Sequence, residues 1–424
     1  MLLKVSGFFL LFTLVVTAQE EYENEGRFAD SILTVDKAIE MAVNKNPQLK
    51  QTLGVINAKK GARKKSFGLS SPELFWFREG IGNELPSGFA EQRWGISQTI
   101  DFPLKTAYRL GKISSEISSL EYSYESEVKQ IKADIKKSYT DVIHAGTIIR
   151  LRNEELDLAK KLLNAATLRF EAGESPELEK INAEIFFAEV QNDVSDAERN
   201  FMQARYNLFN LIGLDPDEQK YSIRFPDSLV FVDVSVSQKE ALSYLEDQPQ
   251  YKSVKERISA AGNAISEAWS SFLPDFRINY YRQDYGQGYN NYGVELALKF
   301  PLWFFLNQSG EIQEASSNKE EMEWKLKSVE LEIKKQIEHA WHGYEITLRT
   351  INRYQDNISV KSKELLDLSL EAYRLGQANL LTLLNSQRTY LNGRIRYFDS
   401  LRDYYYQIIE LERFLTKDVV YVHN

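Results

Sequence analysis

The sequence predicts a mainly α chain with a small β part: a duplicated long α-helical coiled-coil barrel plus four transmembrane β-strands per subunit, closing as a 12-stranded barrel in a trimer. Three observations carry this. The chain is written twice, its helical stripes run far beyond globular length, and each half holds two short alternating segments around a turn. Asn46-Pro47-Gln48-Leu49 returns as Gln248-Pro249-Gln250-Tyr251, and Ser71-Pro72-Glu73-Leu74 as Leu273-Pro274-Asp275-Phe276. Phe102-Pro103-Leu104 returns as Phe300-Pro301-Leu302, and Phe170-Glu171-Ala172-Gly173 as Tyr373-Arg374-Leu375-Gly376. The offset stays near two hundred residues, which marks one duplication rather than a solenoid.

The first residues read as an export signal. Lys4 is basic, 5–16 is almost wholly apolar, and Val16-Thr17-Ala18 ends in small residues, so cleavage is expected after Ala18. The run is shorter than the ~20 residues of a spanning helix. The chain then divides into an N-terminal extension (19–34), a first repeat (35–219), an equatorial linker (220–237), a second repeat (238–418) and a tail (419–424). A net charge of -9, with no basic cluster interleaved with aromatics, argues against nucleic acid as a partner. Cysteine is absent, which removes disulfides, thiolate metal sites and a lipid-anchor cysteine.

Each repeat opens on a shorter helix, expected over 35–65 and 238–269, with Ala38, Met41 and Ala42 inward in the first. Long helices follow at 105–172 and 310–375. In the first, Ile117, Leu120, Tyr124, Val128, Ile131, Ile135, Tyr139 and Val142 keep spacings of three and four. At ~1.5 Å per residue such a helix is roughly 100 Å long. A single apolar stripe of that length must pack against neighbours as a coiled coil. Returning helices are expected over 177–212 and 379–416. The two shorter helices of a repeat sum to nearly the length of its long one. Stacked end to end, they would make a rod beside the continuous helix.

Between the short and long helices lie the strand segments, 74–79 and 94–102 in the first repeat, 276–284 and 292–300 in the second. Trp94, Ile96 and Ile100 share one face of theirs, and Tyr292, Val294, Leu296 and Leu298 share one face of theirs. Their other faces hold Gly95, Ser97 and Thr99, or Gly293, Glu295 and Lys299. Alternation over about nine residues suits strands that face lipid on one side. A soluble half-buried sheet has the same alternation. Four strands cannot close without an edge in lipid, whereas three copies give twelve, so a homotrimer in contact with outer-membrane lipid is expected.

Signal, duplication, strand pairs and long helices in this order resemble the TolC family of outer-membrane efflux ducts over essentially the whole mature chain. The resemblance implies a trimeric barrel in the bacterial outer membrane and a helical tunnel through the periplasm. It also implies a periplasmic adaptor (membrane fusion protein) and an inner-membrane pump of RND type as partners. The Phe-Pro-Leu pairs look like the family's strand-to-helix joints, and Ser71-Pro72-Glu73-Leu74 resembles its metal-cation branch. By similarity, Ala172, Gly173, Glu174 and Ser175 with Leu375, Gly376, Gln377 and Ala378 form adaptor-docking tips. Tyr373 matches the family's gate tyrosine and Glu179 its acidic partner, with Glu171, Arg374 and Asn385 counted beside them. Where some members carry aspartates, this chain has Thr382 and Asn385, so the entrance field would come from Glu171, Glu174, Glu177 and Glu179.

His339 and His342 lie three apart without a third ligand cluster, and His144 and His423 stand elsewhere, so no metal site is expected. Neither a catalytic constellation nor a cofactor motif can be read. The reading is a passive export conduit for drugs or metal cations. A secreted soluble coiled-coil scaffold and a duct for protein secretion fit the same helical pattern.

Overall fold

The computed structural model describes residues 33–82, 85–215, 224–300, 305, 307–415 and 418–420. The expected signal and its cleavage site, most of the N-terminal extension, Pro301-Leu302 and His423 lie outside the described residues. The elements run α1 (Val35–Lys45), α2 (Pro47–Lys65), β1 (Glu73–Glu79), β2 (Glu91–Ile100), α3 (Pro103–Glu171) and α4 (Glu177–Ile212). The second repeat follows with α5 (Gln238–Ser243), α6 (Pro249–Ser270), β3 (Asp275–Asp284), β4 (Asn291–Lys299), α7 (Asn307–Arg353), a π-helical turn (Tyr354–Ile358), α8 (Ser359–Arg374) and α9 (Leu380–Glu412).

Helix α3 is unbroken over 69 residues and has Pro103 in its first turn, where the missing N–H costs nothing. Its C-terminus closes in a Schellman motif: Glu174 N–H donates to Arg169 O (2.8 Å) and Gly173 N–H to Phe170 O (2.9 Å). Gly173 supplies the left-handed φ of 74°. The second repeat repeats the motif, with Gln377 N–H on Ala372 O (2.8 Å), Gly376 N–H on Tyr373 O (3.1 Å) and a Gly376 φ of 70°.

Three expectations are corrected. The short helices over 35–65 and 238–269 are each broken before a proline, because the residue ahead of it is forced into extended backbone. Asn46 sits at φ -60°, ψ 122° and Gln248 at φ -63°, ψ 135°. The long helix over 310–375 is interrupted by the π turn. None of Tyr354–Ile358 is buried, so no apolar anchor holds α register there, and Asp356-Asn357 form helix poorly. The strand over 94–102 instead spans Glu91–Ile100, because Asp101 turns to Arg109 and Phe102 already caps α3.

The broken prolines make the rods. The Asn46 side chain accepts from Gln48 N–H (2.8 Å) and Leu49 N–H (3.3 Å), and donates to Leu211 O at the end of α4 (2.9 Å). Gln248 Nε2 donates to Phe414 O, just beyond α9 (3.1 Å). Each buried amide thus splices a returning helix to a short one, α4 to α2 and α9 to α6. The spliced rods lie against the continuous α3 and the nearly continuous α7–α8.

One core lies at the level of these splices, built from Ala38, Ala42, Ile135, Leu208, Phe209, Ile333, Ile337 and Ile408 among others. A segment at 230–234 crosses it, held by tyrosine hydroxyls: Tyr344 donates to Val234 O (2.6 Å), Tyr404 to Val232 O (3.0 Å) and Tyr405 to Val230 O (2.9 Å). Tyr139 holds Leu33 O likewise (2.7 Å). Burial pushes the Tyr139 and Tyr404 phenols up to about 12, so both remain donors at any physiological pH.

Candidate functional site

The four strands form one antiparallel sheet in chain order, β1-β2-β3-β4, so the repeats join through β2 and β3 while β1 and β4 remain open edges. The register aligns like with like. Leu74 pairs with Ile96, Ile96 with Tyr280 and Tyr280 with Val294; Trp76 pairs with Trp94, Trp94 with Arg282 and Arg282 with Tyr292. Even-numbered residues of all four strands therefore share one face. All seven residues expected on the apolar faces of β2 and β4 lie on it: Trp94, Ile96, Ile100, Tyr292, Val294, Leu296 and Leu298. The sequence reading missed Leu74, Trp76, Phe276, Ile278 and Tyr280, which complete the face and were legible as the same alternation in the partner strands. Leu74 is 82% exposed and Tyr292 70%, an apolar surface on the scale of a buried interface.

The odd face is polar and tightly filled. Gly95 and Gly293 flank Tyr281, whose side chain occupies the space a Cβ at either glycine would need. Arg93 stands between the Phe77 and Tyr281 rings, 5.4 and 5.3 Å from their centroids, and pairs with Glu91.

The polar face continues into the helices. Asp275 is an odd position of β3, and with Asp101 it lines a cavity of about 1130 Å³ walled by α2, α3, α6 and α7. Three cations of α3 on successive turns are matched there. Lys105 Nζ lies 2.8 Å from Asp275, Arg109 2.7 Å from Asp101 and 2.9 Å from Glu267, and Lys112 2.6 Å from Glu267. Burial opposes the Arg109 charge, yet the Asp101 and Glu267 carboxylates hold its guanidinium above the ordinary value. The same pairs clamp the sheet onto the rods. Glu311, Glu314 and Glu321 of α7 face the same hollow, so the charged groups below the sheet continue onto the rods, set among alanines, Val55, Leu120 and Met322.

At the far end the two tips lie side by side. Ala172, Gly173, Glu174, Leu375, Gly376 and Gln377 are exposed, while Ser175 and Ala378 are half-buried. Tyr373 is only 6% exposed, packed among Ala159, Leu162, Ala166, Phe186, Leu380 and Leu383. The Arg169 guanidinium lies 5.2 Å from its ring centroid, a contact between the hairpins that the sequence reading did not find. Glu179 is half-buried, and Glu171, Arg374 and Asn385 are exposed. The Tyr373 hydroxyl and Glu179 Oε2 are both buried without a hydrogen-bond partner, so within one protomer they are not bonded to each other. Of the residues expected at a gate, the fold brings Tyr373 into the inter-hairpin core and leaves Arg374 and Asn385 on the surface.

No protein-family model matches the chain. Among solved structures it superposes on a membrane protein from Pseudomonas aeruginosa with a TM-score of 0.80 at 16% identity, covering 92% of both chains. The Campylobacter jejuni CmeC outer membrane channel gives 0.77 at 16% identity, covering 91% of this chain and 87% of that one. The fold is that of the TolC-type outer-membrane channels. A curated relative, the cobalt-zinc-cadmium resistance protein CzcC of Cupriavidus metallidurans, is 19% identical over 403 residues, 92% of this chain and 91% of its own. The TolC-type fold accounts for the duplicated unit, the joined sheet and the paired tips in one architecture.

Proposed function

We propose that this chain, as a homotrimer, forms an outer-membrane channel-tunnel that exports solutes across the periplasm and outer membrane. The observation that carries the reading is the sheet. It has a face that is apolar from the helix end up to the turn end, apart from Gln98, two open edges and a polar side continuous with the hollow between the rods. A four-stranded sheet with free edges is not viable in lipid, and pairing β4 of one copy with β1 of the next removes every edge. The strand length fits as well, since the nine residues of β4 at ~3.3 Å each make roughly 30 Å of strand, which a tilt of about 40° brings to roughly 23 Å of height.

The duct does no chemistry of its own in this reading. Transport energy comes from an inner-membrane pump, reached through a periplasmic adaptor that docks on the exposed glycine tips. Tyr373 and Glu179, each with an unused polar atom, are the residues whose rearrangement opens the lower end. The name of the metal-resistance relative makes divalent metal cations the first cargo to try. No group of His, Cys and carboxylates suited to hold a metal occurs among the described residues, and a conduit does not need one.

The test is to purify the protein with and without detergent and to place it in a planar bilayer. A detergent-dependent trimer with a steady conductance is expected. A monodisperse soluble monomer obtained without detergent would overturn the reading in favour of a secreted scaffold.

A further inference from the structure

The apolar face of the sheet changes chemistry at its turn end. Even positions of the four strands carry two cations, Arg78 on β1 and Arg282 on β3, both near the turns rather than near the helices. Arg282 stands in the rung of Trp76, Trp94 and Tyr292, and Arg78 one rung farther out, opposite Gln92. Aromatic rings floor the space around them. The Arg78 guanidinium lies 5.6 Å from the Trp76 centroid and 4.6 Å from that of Phe89, and Tyr289 meets Trp94 edge-on at 6.5 Å.

Neither arginine has a carboxylate partner among the described residues. Arg78 Nε donates to Gln92 Oε1 (2.7 Å), and Arg282 donates from Nε (3.2 Å) and Nη2 (2.5 Å) to the Tyr289 carbonyl. Asp284, the acid beside them, has its Oδ1 engaged by Gly286 N–H (2.8 Å) and Gly288 N–H (2.7 Å). Arg93, at the same height on the polar face, does pair with a carboxylate, Glu91. The contrast is informative: the inward guanidinium is neutralised by the chain, and the outward ones keep their charge and most of their five N–H donors. Fixed guanidinium forks beside apolar surface match a phosphate carried on an acyl chain better than a hydrated ion.

We infer that Arg78 and Arg282, seated in this aromatic rim, bind the phosphate headgroup of a lipid in the outer leaflet. The inference rests on the membrane-barrel reading above. The headgroup lies against Arg78, Arg282 and Gln92, and the acyl chain runs down past Tyr280 and Val294. Sites of threefold neighbours are separated by a third of the barrel circumference, four strands, so each protomer acts alone.

The test places the trimer in phosphatidylcholine nanodiscs containing phosphatidylglycerol and counts co-retained lipids by mass spectrometry after delipidation. Wild type is expected to retain the anionic lipid about tenfold over phosphatidylcholine, from one to two charge-assisted bonds. An Arg78→Ala, Arg282→Ala double variant is expected to lose that preference while still inserting and conducting. Equal retention of both lipids by wild type, or unchanged preference in the variant, overturns the inference and leaves the barrel reading standing. Displacement of the lipid by inorganic phosphate at millimolar level overturns the lipid as ligand. Failure of both proteins to insert overturns the barrel reading, and the inference with it.

Discussion

The two hairpins that reach the tips descend from one repeat, yet different chemistry holds them together. In the first, the lower half of α3 buries Leu151, Ala159, Leu162 and Ala166 against Ala183, Phe186, Val190 and Val194 of α4. In the second, α8 buries Ser362, Ser369 and Tyr373, while α9 supplies the apolar side with Leu380, Leu383, Leu384 and Leu391. Ser369 and Ser386 hydroxyls bond each other at 2.7 Å, and Gln387 is 3% exposed with neither amide atom hydrogen-bonded. Gly393 of α9 faces Ile358 at the π turn. Apolar burial resists separation and sparse apolar contact permits it. The α8 side of the second hairpin is therefore expected to separate more readily than either helix of the first.

The most direct way to break this comparison is truncation. Phe186→Ala should cost about 3 to 5 kcal/mol in denaturant unfolding, as expected for a buried aromatic. Removing the hydroxyl pair with Ser369→Ala and Ser386→Ala should cost about 1 kcal/mol or less, since both partners go together. Equal losses would erase the distinction.

The splices differ as the hairpins do, and pH separates them. The α4–α2 joint around Asn46 is held by amide hydrogen bonds rather than by an ion pair. Beside the α9–α6 joint, buried Lys136 of α3 pairs with Glu412 and with Asp418 (2.8 Å). Lys129, Lys132 and Arg413 line the same recess. Burial pushes Glu412 up to about 8, and hydrogen bonding from Glu412 holds Asp418 down at about 2. Burial thus makes Glu412 hold a proton more readily than a free carboxyl, opposed by the Lys136 ammonium on its Oε1, while its Oε2 is buried without a hydrogen-bond partner. Folding takes up a proton here between about 4.5 and about 8, so the stability from Glu412 falls as pH rises through that window. The Asp418 contribution is present above its ordinary 3.8 and is lost as pH falls toward about 2. Melting temperature should drop by several degrees across the alkaline half of the first window, and Glu412→Gln should flatten the profile. An unchanged profile in the variant would remove the proton from the joint.

The smallest effect sharpens the hinge. Gly393→Ala should stabilise the second hairpin by about 0.5 to 1 kcal/mol, because helical glycine is costly and the new Cβ sits at an ordinary 3.6 Å from Ile358. Slowed amide exchange confined to α8 is the expected readout. Slowing in α4 as well would mean that the hairpins move together.

The apolar stripe of α3, the tip glycines and the strand alternation were legible because each is a local period or a single backbone requirement. The splices were half legible. Asn46-Pro47 and Gln248-Pro249 stood out as repeats, but their amides reach carbonyls 165 and 166 residues away, which no window along the chain contains. The π turn was hidden because its stripe continues on both sides. The Asp101, Lys105, Arg109, Glu267 and Asp275 clamp required knowing that β2 lies beside β3. Arg78 and Arg282 carried no signal in the sequence, and only the register across four strands put them on one face.

In the proposed trimer, β4 of one copy meets β1 of the next just as β2 meets β3 within the chain, so the seam between chains would be the same kind of contact as the seam inside it. A half-length ancestor would have closed the same ring as six identical pieces. Fusion fixed the order of the pieces, and from then on alternate members were free to specialise. In the proposed ring, a hairpin with serines on one helix and leucines on the other would stand beside each hairpin that is mostly apolar on both, and a sixfold origin would have become threefold use.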